Sequence, residues 1–379
     1  MRPLGLLVSS VMFAFTPHAL ASNLDEVVRA AAIRVMQQHN IPGLAVGVTL
    51  EGQQHFYNFG QADKASGQAV TSDTLFEVGS VSKTLTATAT AYAQVTGKLE
   101  LGAPVAHYLP QFKDTAFGNL SVLNLATHTS GGFPLQVPDA VSDDAQLTRY
   151  LRQWQPAHTP GSYRTYANPS IGMMAVVAAQ SLGQAFRPLM EQQVYPQLGM
   201  SSTYIRVPQT QMARYAWGYD KTGAAVRVGP GVLADEAYGM KTTARDLLRF
   251  VEVNLGAPVA NQALAQAVQL THTGYFDTGN MVQDLVWEQY AYPVAVQTLV
   301  DGNANTWALE SHPVRALTPP LAPQQAVWIN KTGATNGFGA YVAFVPAKQM
   351  GIVLLANSNY PNEQRVRLAH EILSALADH

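Results

Sequence analysis

An unbroken apolar run near the C-terminus constrains the fold more than any other feature of the chain. The run is Ile352–Ala356. A strand with one face in water alternates apolar and polar residues, whereas a strand that is covered on both faces is apolar throughout. The run therefore predicts a strand in the interior of a sheet that has helices on both faces.

Segments from both ends of the chain predict the neighbours of this strand. Apolar and β-branched residues separated by turn residues predict these strands: Leu44–Leu50, His55–Phe59, Trp328–Lys331, Ala340–Val345 and Gly351–Ala356. Helical spacing predicts helices at Asp25–Gln38, at Thr242–Leu255 and near the C-terminus, where Val366, Ala369, Leu373 and Leu376 share one side. Because the turns are short, the strands should be antiparallel. We expect an α/β (α+β) fold, with an antiparallel sheet flanked by helices.

The middle of the chain has a different texture. Proline and glycine interrupt short helical patterns between residues 101 and 219. We therefore expect one domain, residues 22–379, in which a mainly helical region (about 85–239) is inserted between two sheet-forming parts (about 22–84 and 240–379). The active site should lie in the cleft between the sheet and the helical region.

The N-terminus has the three-part pattern of a secretory signal peptide. Arg2 precedes the apolar stretch Leu4–Phe15, and Ala19-Leu20-Ala21 is a small-residue cleavage site. A buried first helix or a membrane anchor is the alternative, but the apolar stretch is short for a bilayer span. We expect residues 1–21 to be removed, which leaves a periplasmic protein with no membrane segment.

Composition excludes several classes of function. The net charge of −2 gives no reason to expect a nucleic-acid partner, and the absence of cysteine excludes disulfides, thiol nucleophiles and Cys-based metal sites. His370-Glu371 begins a zinc-protease motif, but Ser374 stands where its second histidine is required. We expect no metal, no cofactor and a monomer.

Three short motifs carry candidate chemistry. They are Ser80-Val81-Ser82-Lys83, Tyr166-Ala167-Asn168 and Lys331-Thr332-Gly333. The first and last are nucleophile and active-site signatures of penicillin-recognising enzymes. Each string alone is common on protein surfaces, but three in this order, in helix, loop and strand settings, favour one catalytic site.

The residue types in these motifs form a coherent proton-handling set. A serine hydroxyl is a weak nucleophile until a neighbouring base takes its proton. Lys83 lies one helical turn after Ser80 and faces the same way. A lysine becomes a base when burial or a second cation lowers its pKa, and Lys331 could be that cation. The same charges would favour the phenolate of Tyr166, so the titration of the cluster should be shared. The predicted catalytic residues are thus Ser80, Lys83, Tyr166 and Lys331.

With these motifs, the chain resembles the class C (AmpC-type) serine β-lactamases over essentially all of its mature length. The segments that carry the resemblance are Phe76–Thr84, Tyr166–Ser170, Lys331–Gly339 and Leu355–Arg365. The resemblance implies hydrolysis of the β-lactam ring through an acyl-enzyme on Ser80, with cephalosporins preferred, and hence antibiotic resistance.

The resemblance also implies roles for individual residues. Lys83 and Tyr166 would move the protons, and the N–H groups of Ser80 and Ala334 would form the oxyanion hole. The implied substrate-binding residues are Gln136, Asn168, Tyr238, Thr332, Asn362 and Arg365, with Lys331 also facing the carboxylate of the drug. Glu288 would be a partner of the lysines.

Two departures and two alternatives remain. Asn330 stands where many relatives carry histidine, and Thr127–Ser130 differs from the sequence that is common in the family before the double glycine. A D-alanyl-D-alanine peptidase or serine esterase shares the first two motifs, and a penicillin-binding domain without catalysis shares the fold. The extended motif Lys331–Gly339 favours the lactamase, and the lifetime of the acyl-enzyme would discriminate among these possibilities.

Overall fold

The structure is a computed structural model that describes residues 17–377, with side chains described from residue 24 onward. Of the signal peptide predicted at residues 1–21, residues 1–16 lie outside the described residues, and so do the side chains of the predicted cleavage site. Within the described part, no helix is long and apolar enough to cross a membrane.

The strands are numbered in chain order. They are β1 (Gly43–Leu50), β2 (Gln53–Asp63), β3 (Gln68–Ala69), β4 (Phe76–Glu77), β5 (Tyr163–Thr165), β6 (Gly218–Tyr219), β7 (Ala225–Val226), β8 (Lys241–Thr242), β9 (Gly274–Asp277), β10 (Val282–Gln283), β11 (Glu288–Ala291), β12 (Ser311–Pro313), β13 (Arg315–Leu321), β14 (Val327–Ala334), β15 (Gly339–Val345) and β16 (Met350–Ala356).

The helices are numbered in the same way. They are α1 (Pro17–His39), α2 (Ser82–Val95), α3 (Val105–Tyr108), α4 (Val122–Ala126), α5 (Asp144–Gln153), α6 (Asn168–Ser181), α7 (Phe186–Leu189), α8 (Tyr195–Gln197), α9 (Ala234–Ala237), α10 (Ala244–Asn254), α11 (Gln262–Leu270), α12 (Val296–Asn303), α13 (Asn305–Ala308) and α14 (Asn362–Ala377).

One antiparallel sheet organises the molecule. Its ten strands lie in the order β13-β9-β10-β11-β14-β15-β16-β1-β2-β3. The first and last parts of the chain meet inside it, because β1 pairs with β16 from Leu44 opposite Ala356 to Leu50 opposite Met350. The predicted sheet from both chain ends is therefore confirmed, as is the α+β fold class.

Successive residues of the central strands belong to two separate cores. In β16, Val353 and Leu355 join one apolar cluster, which also contains residues of α10, whereas Ile352 and Leu354 join another with residues of α1 and α14. All seven residues of β16 are buried. Burial of each aliphatic side chain contributes about 1.5–3 kcal/mol to the stability of the fold. The run is apolar throughout because helices cover both faces of the strand, as predicted.

The helical region has a third core of its own. Buried residues of α2, α4, α5 and α6 form this cluster. Helix α2 runs across the predicted boundary between residues 84 and 85 and contributes to the cores on both sides of it. The boundaries themselves stay a prediction.

The strands that extend the sheet beyond β14 were not predicted from the sequence. Strands β9, β10 and β11 are two to four residues long, and the pairing of β13 with β9 shifts register between Ala316 and Leu321. The two prolines in β13 suit an edge strand, since proline cannot donate to a neighbouring strand. Such short or irregular strands carry little periodicity.

Candidate active site

A close contact between a turn and a strand brings the first and third motifs together. Ser80 lies in the 3-10 turn Gly79–Val81, which leads directly into α2. Gly79 has a positive φ of 49°, and a β-carbon there would lie 2.5 Å from the nitrogen of Ala334. A β-carbon on Gly333 would lie 2.0 Å from the carbonyl oxygen of Val78. Only glycine allows β14 to pass this close to the turn that carries Ser80.

Lys83 is completely buried behind Ser80. Its Nζ donates hydrogen bonds to Ser80 Oγ at 2.8 Å and to the carbonyl oxygen of Ala237 at 2.9 Å. Burial lowers the pKa of Lys83, and the charge of Lys331 lowers it further, while the nearby Tyr166 opposes both. The predicted pairing of the serine with the lysine one turn later is present.

Tyr166 lies between the two lysines. The Nζ atoms of Lys83 and Lys331 are 5.3 Å and 5.2 Å from the centre of its ring. Burial alone would raise the pKa of the phenol. Lys331, Lys83 and hydrogen bonds with Ser80 and Lys83 outweigh burial and lower the pKa to about 8. The structure thus brings together the four residues that the sequence proposed as catalytic.

Two further charges stand behind Lys331. Its Nζ lies 3.6 Å from Glu288 Oε1, and all three residues Glu288, Lys331 and Arg164 are buried. Arg164 Nη2 donates to the same Glu288 oxygen at 2.9 Å. Arg164 was not predicted as part of the site. The sequence did contain one signal for it. Arg164 lies two residues before Tyr166 in an extended segment, and side chains two residues apart in such a segment point to the same side.

His128 packs directly on the phenol. Its ring centre lies 4.4 Å from that of Tyr166, and its Nδ1 accepts a hydrogen bond from the backbone N–H of Ala167 at 3.2 Å. Burial and then the charges of Arg164, Lys83 and Lys331 hold the pKa of His128 well below its usual value. His128 is therefore neutral, and the hydrogen bond to Nδ1 puts its proton on Nε2.

Ser80 opens into a cavity of about 210 Å³. The predicted residues that line it are Ser80, Gln136, Tyr166, Asn168, Glu288, Lys331, Thr332, Ala334 and Asn362. Asn168 is buried, and its Oδ1 has no hydrogen-bond partner in the described part of the chain. Its side chain therefore lines the cavity with this acceptor unused.

Arg365 does not line this cavity. It is 1% exposed and donates to the carbonyl oxygens of Gly333, at 2.8 Å, and Tyr360. Its remaining bond is to Asn359 Oδ1 at 2.7 Å. The guanidinium therefore supports β14 from behind, and this placement differs from the expected direct contact with a carboxylate. Tyr238 also lies outside the lining, next to the Ala237 carbonyl that binds Lys83.

One wall of the cavity was not predicted at all. It comes from α12, α13 and the residue after α13, and it contributes Gly302, Asn303, Asn305, Ala308 and Leu309. Asn303 Nδ2 donates to Asn330 Oδ1 at 3.1 Å, and Tyr341 donates to the same oxygen at 2.7 Å. Asn330, noted as a departure in the sequence, thus ties this wall to β14. No short motif marks the wall, because its residues meet the site only through the tertiary fold.

Across residues 24–377, whose side chains the structure describes, no group of three or more His, Asp or Glu side chains could hold a metal ion.

Comparison with known proteins gives consistent matches over nearly the whole chain. The beta-lactamase family model matches residues 28–377. A beta-lactamase of Pseudomonas fluorescens is 50% identical over 356 residues, which are 94% of this chain and 99% of the relative. The structure of a beta-lactamase/D-alanine carboxypeptidase from Pseudomonas syringae is similar with a TM-score of 0.91 and 51% identity, covering 93% of this chain and 98% of the other. A class C beta-lactamase in complex with cefoxitin is similar with a TM-score of 0.91 and 48% identity, covering 93% and 99%.

Proposed function

The chain belongs to the beta-lactamase family, with class C enzymes among its relatives, and from this premise we propose that it hydrolyses the β-lactam ring through an acyl-enzyme on Ser80. The observation that carries the mechanism is the hydrogen bond of 2.8 Å between the buried Lys83 Nζ and Ser80 Oγ, with Tyr166 beside both. This arrangement gives a serine hydroxyl two groups that can accept its proton.

Acylation follows from these groups. Ser80 Oγ attacks the lactam carbonyl carbon while its proton passes to Tyr166 or Lys83. The N–H groups of Ser80 and Ala334 stabilise the oxyanion. The bond between the carbonyl carbon and the ring nitrogen then breaks, and the nitrogen takes the proton from the same cluster. An ester on Ser80 and an opened ring result.

Deacylation uses the cluster a second time. The phenolate of Tyr166, with a pKa of about 8, removes a proton from a water molecule that attacks the ester. Ser80 then leaves with a proton from the same group, which restores the starting state. A phenol with its ordinary pKa of about 10 would hold its proton too strongly for this step near neutral pH.

The cavity lining supports recognition of a compact anionic substrate. Lys331 and Thr332 would bind the drug carboxylate together with Asn362, while Gln136 and Asn168 would hold the acylamino side chain. Arg365 would act on the carboxylate through β14, because it donates to the carbonyl oxygen of Gly333 and otherwise to Tyr360 O and Asn359 Oδ1. Tyr238 would bound the site beside Lys83.

A D-alanine carboxypeptidase is the second candidate function. The name of the Pseudomonas syringae relative, which is 51% identical, includes both activities. Both reactions begin with acylation of a serine, so geometry before acylation does not separate them. The lifetime of the acyl-enzyme does, since a peptidase stays trapped by penicillin whereas a lactamase turns over.

Two finer properties belong to this proposal. We infer that cephalosporins are preferred and that clavulanate inhibits poorly, which rests on the class C resemblance. We also infer a periplasmic location, which rests on the signal-peptide pattern of residues 1–21; a mature N-terminus at Ser22, measured by intact mass, is the expected result. The monomeric state stays a prediction.

The decisive experiment follows ring opening of a chromogenic cephalosporin by the purified mature protein over many turnovers. We expect steady turnover, a transient adduct of the opened cephalosporin on Ser80 by mass spectrometry, and neither in Ser80→Ala. A single stoichiometric burst followed by a stable adduct would favour the peptidase, and an adduct on folded Ser80→Ala would refute the assignment of the nucleophile.

A further inference from the structure

Arg164 is a buried cation beside the reacting groups that the proposed mechanism leaves without a role. Its Nε donates to Gln283 Oε1 at 2.7 Å, and its Nη2 donates to Glu288 Oε1 at 2.9 Å. Its Nη1 has no hydrogen-bond partner within the described chain. The guanidinium carbon instead lies 5.1 Å from the ring centre of Trp307 and 5.7 Å from that of Tyr166. Two hydrogen bonds and two aromatic rings therefore fix this charge in place.

Arg164 competes with Lys331 for one carboxylate oxygen. Glu288 Oε1 is 2.9 Å from Arg164 Nη2 but 3.6 Å from Lys331 Nζ. The contact with Arg164 is short enough for a charge-assisted hydrogen bond, whereas the contact with Lys331 is too long for one. The carboxylate is thus held by the arginine and only partly neutralises the lysine.

We propose that Arg164 is a positioning residue for the reaction, which holds the carboxylate of Glu288 away from Lys331 so that the lysine acts on Tyr166 without a close counter-ion. This inference rests on the proposed function, because it assigns a role within the proton transfers of that mechanism. It adds a residue that acts through Glu288 and Lys331 and not by contact with the substrate.

Charged and titratable groups surround both Tyr166 and Glu288. Tyr166 faces Lys83 from α2, Lys331 from β14, Arg164 from β5 and the neutral ring of His128. Glu288 faces Arg164 and Lys331, and its charge also acts on two buried phenols. These are Tyr290 in its own strand and Tyr341 in β15.

Removal of the arginine has a defined electrostatic consequence. In Arg164→Met, Glu288 loses its hydrogen-bonded cation and is free to pair closely with Lys331. The lysine charge is then neutralised at short range, so it stabilises the phenolate of Tyr166 less. The pKa of Tyr166 rises, and the acidic limb of the kcat/KM profile moves to higher pH.

The test compares three variants of the mature protein with the wild type. Arg164→Met removes the charge, Arg164→Met with Glu288→Gln removes both partners, and Gln283→Leu is the matched control that loses a neutral hydrogen bond to the same guanidinium. NMR of ¹³Cζ-labelled tyrosine follows the ionisation of Tyr166, whose signal is assigned by its loss in Tyr166→Phe. The pH profile of kcat/KM for a cephalosporin is the second measurement.

We expect Arg164→Met to have an acid dissociation constant for Tyr166 that is roughly tenfold smaller, which corresponds to one pKa unit. The paired variant should return close to the wild-type constant, because no carboxylate is left to neutralise Lys331. Gln283→Leu should titrate like the wild type. The acidic limb of kcat/KM should follow the NMR titration in each case.

Two results would overturn the proposal. One is an unchanged Tyr166 titration in folded Arg164→Met. The other is a paired variant whose constant is far below that of the wild type, since Arg164 would then act on the phenol directly. If Arg164→Met alone does not fold, the paired variant carries the test, because loss of both members of a buried ion pair is tolerated better than loss of one. The NMR titration does not depend on turnover, so failure of the proposed function would be seen separately.

Discussion

At Tyr166, burial and charge act in opposite directions on one phenol. Burial favours the neutral form, but two lysines about 5 Å from the ring favour the phenolate and set a pKa of about 8. A single phenol can therefore accept and return a proton within a narrow range of pH. Lys83, whose pKa burial lowers, is the other possible carrier. The two groups should act as one unit.

This coupling is testable by a double-mutant cycle on cephalosporin hydrolysis. Tyr166→Phe removes the proton carrier and should lower kcat roughly 10²–10⁴-fold. The combined Tyr166→Phe, Lys83→Ala protein should lose much less than the product of the two single effects, because each single change already disables the unit. Fully additive barrier increases would show that the two residues act separately.

Among the elements, the contact between β14 and the turn Gly79–Val81 decides whether a site exists. Residues 80 and 331 are far apart in the chain, and this contact is where their elements touch. The motif Lys331-Thr332-Gly333 is thus a packing device as well as a set of functional groups, because its glycine lets the strand lie against the backbone that carries the nucleophile.

Gly333→Ala tests this interpretation. Its new methyl group would lie 2.0 Å from Val78 O and 3.0 Å from Ser80 N, so the turn must shift. We expect a loss of about 1–3 kcal/mol in unfolding free energy from overpacking and at least a 100-fold lower kcat/KM, since small displacements of reacting groups are costly.

The matched control is Gly102→Ala. No atom lies within 4 Å of its added methyl group, so its kcat/KM should stay within twofold of the wild type. Equal activity of the Gly333→Ala and Gly102→Ala proteins would contradict the role of the strand contact. Urea unfolding and steady-state kinetics supply both measurements.

The elements also show how far the sequence could lead. The central strands were predictable because residues such as Ile352 and Leu354 are apolar, and their residue type alone indicates that they are buried. The start of α10 was predictable too, because helical spacing begins at Thr242 and threonine is a favoured N-cap residue. In the structure, Thr243 accepts a hydrogen bond from the N–H of Asp246. Helix α11 and the short strands β9 to β11 were missed. The strands pair with one another, but at two to four residues each they carry little periodicity.

Within the site, the same distinction holds. Ser80, Lys83 and Tyr166 could be found because their chemistry appears in short motifs. Arg164 left one local signal, its position two residues before Tyr166, but its partner Glu288 is supplied by the fold. Asn303 left no signal, because it matters through Asn330, which is distant in the sequence.

At the scale of the whole molecule, buried titratable groups make stability depend on pH. His272 is buried, and burial lowers its pKa to about 3. In the unfolded chain the same histidine binds a proton below about pH 6.5. The unfolded state therefore binds more protons between pH 6.5 and 3, and stability from this residue is lost as the pH falls through that window.

His272→Gln isolates the effect, because glutamine does not titrate and can still donate to Asn254. Between pH 7 and pH 5 the wild type should lose about 2 kcal/mol of unfolding free energy relative to this variant. Urea unfolding at several pH values gives the difference, and a constant difference would show that His272 titrates normally.

Asp284 provides a control of opposite sign. Burial raises its pKa well above the usual value, and neither carboxyl oxygen has a hydrogen-bond partner in the described part of the chain. The folded state therefore binds the extra proton, and the wild type should gain stability relative to Asp284→Asn as the pH falls from 7 to 5. A loss of stability relative to Asp284→Asn over this range would contradict the assignment for Asp284.

The pairing of β1 with β16 has a consequence for biosynthesis. A ribosome releases the nucleophile-bearing segment long before it has made β14, β15 and β16, and until then β1 has only β2 as a neighbour in the sheet. Lys331 is also absent during that time, so Ser80 remains an ordinary alcohol in the growing chain. Reactivity appears only when the segment from Val327 onward, about the last seventh of the polypeptide, has been made and folded. A product that ends before β14 should therefore be inert.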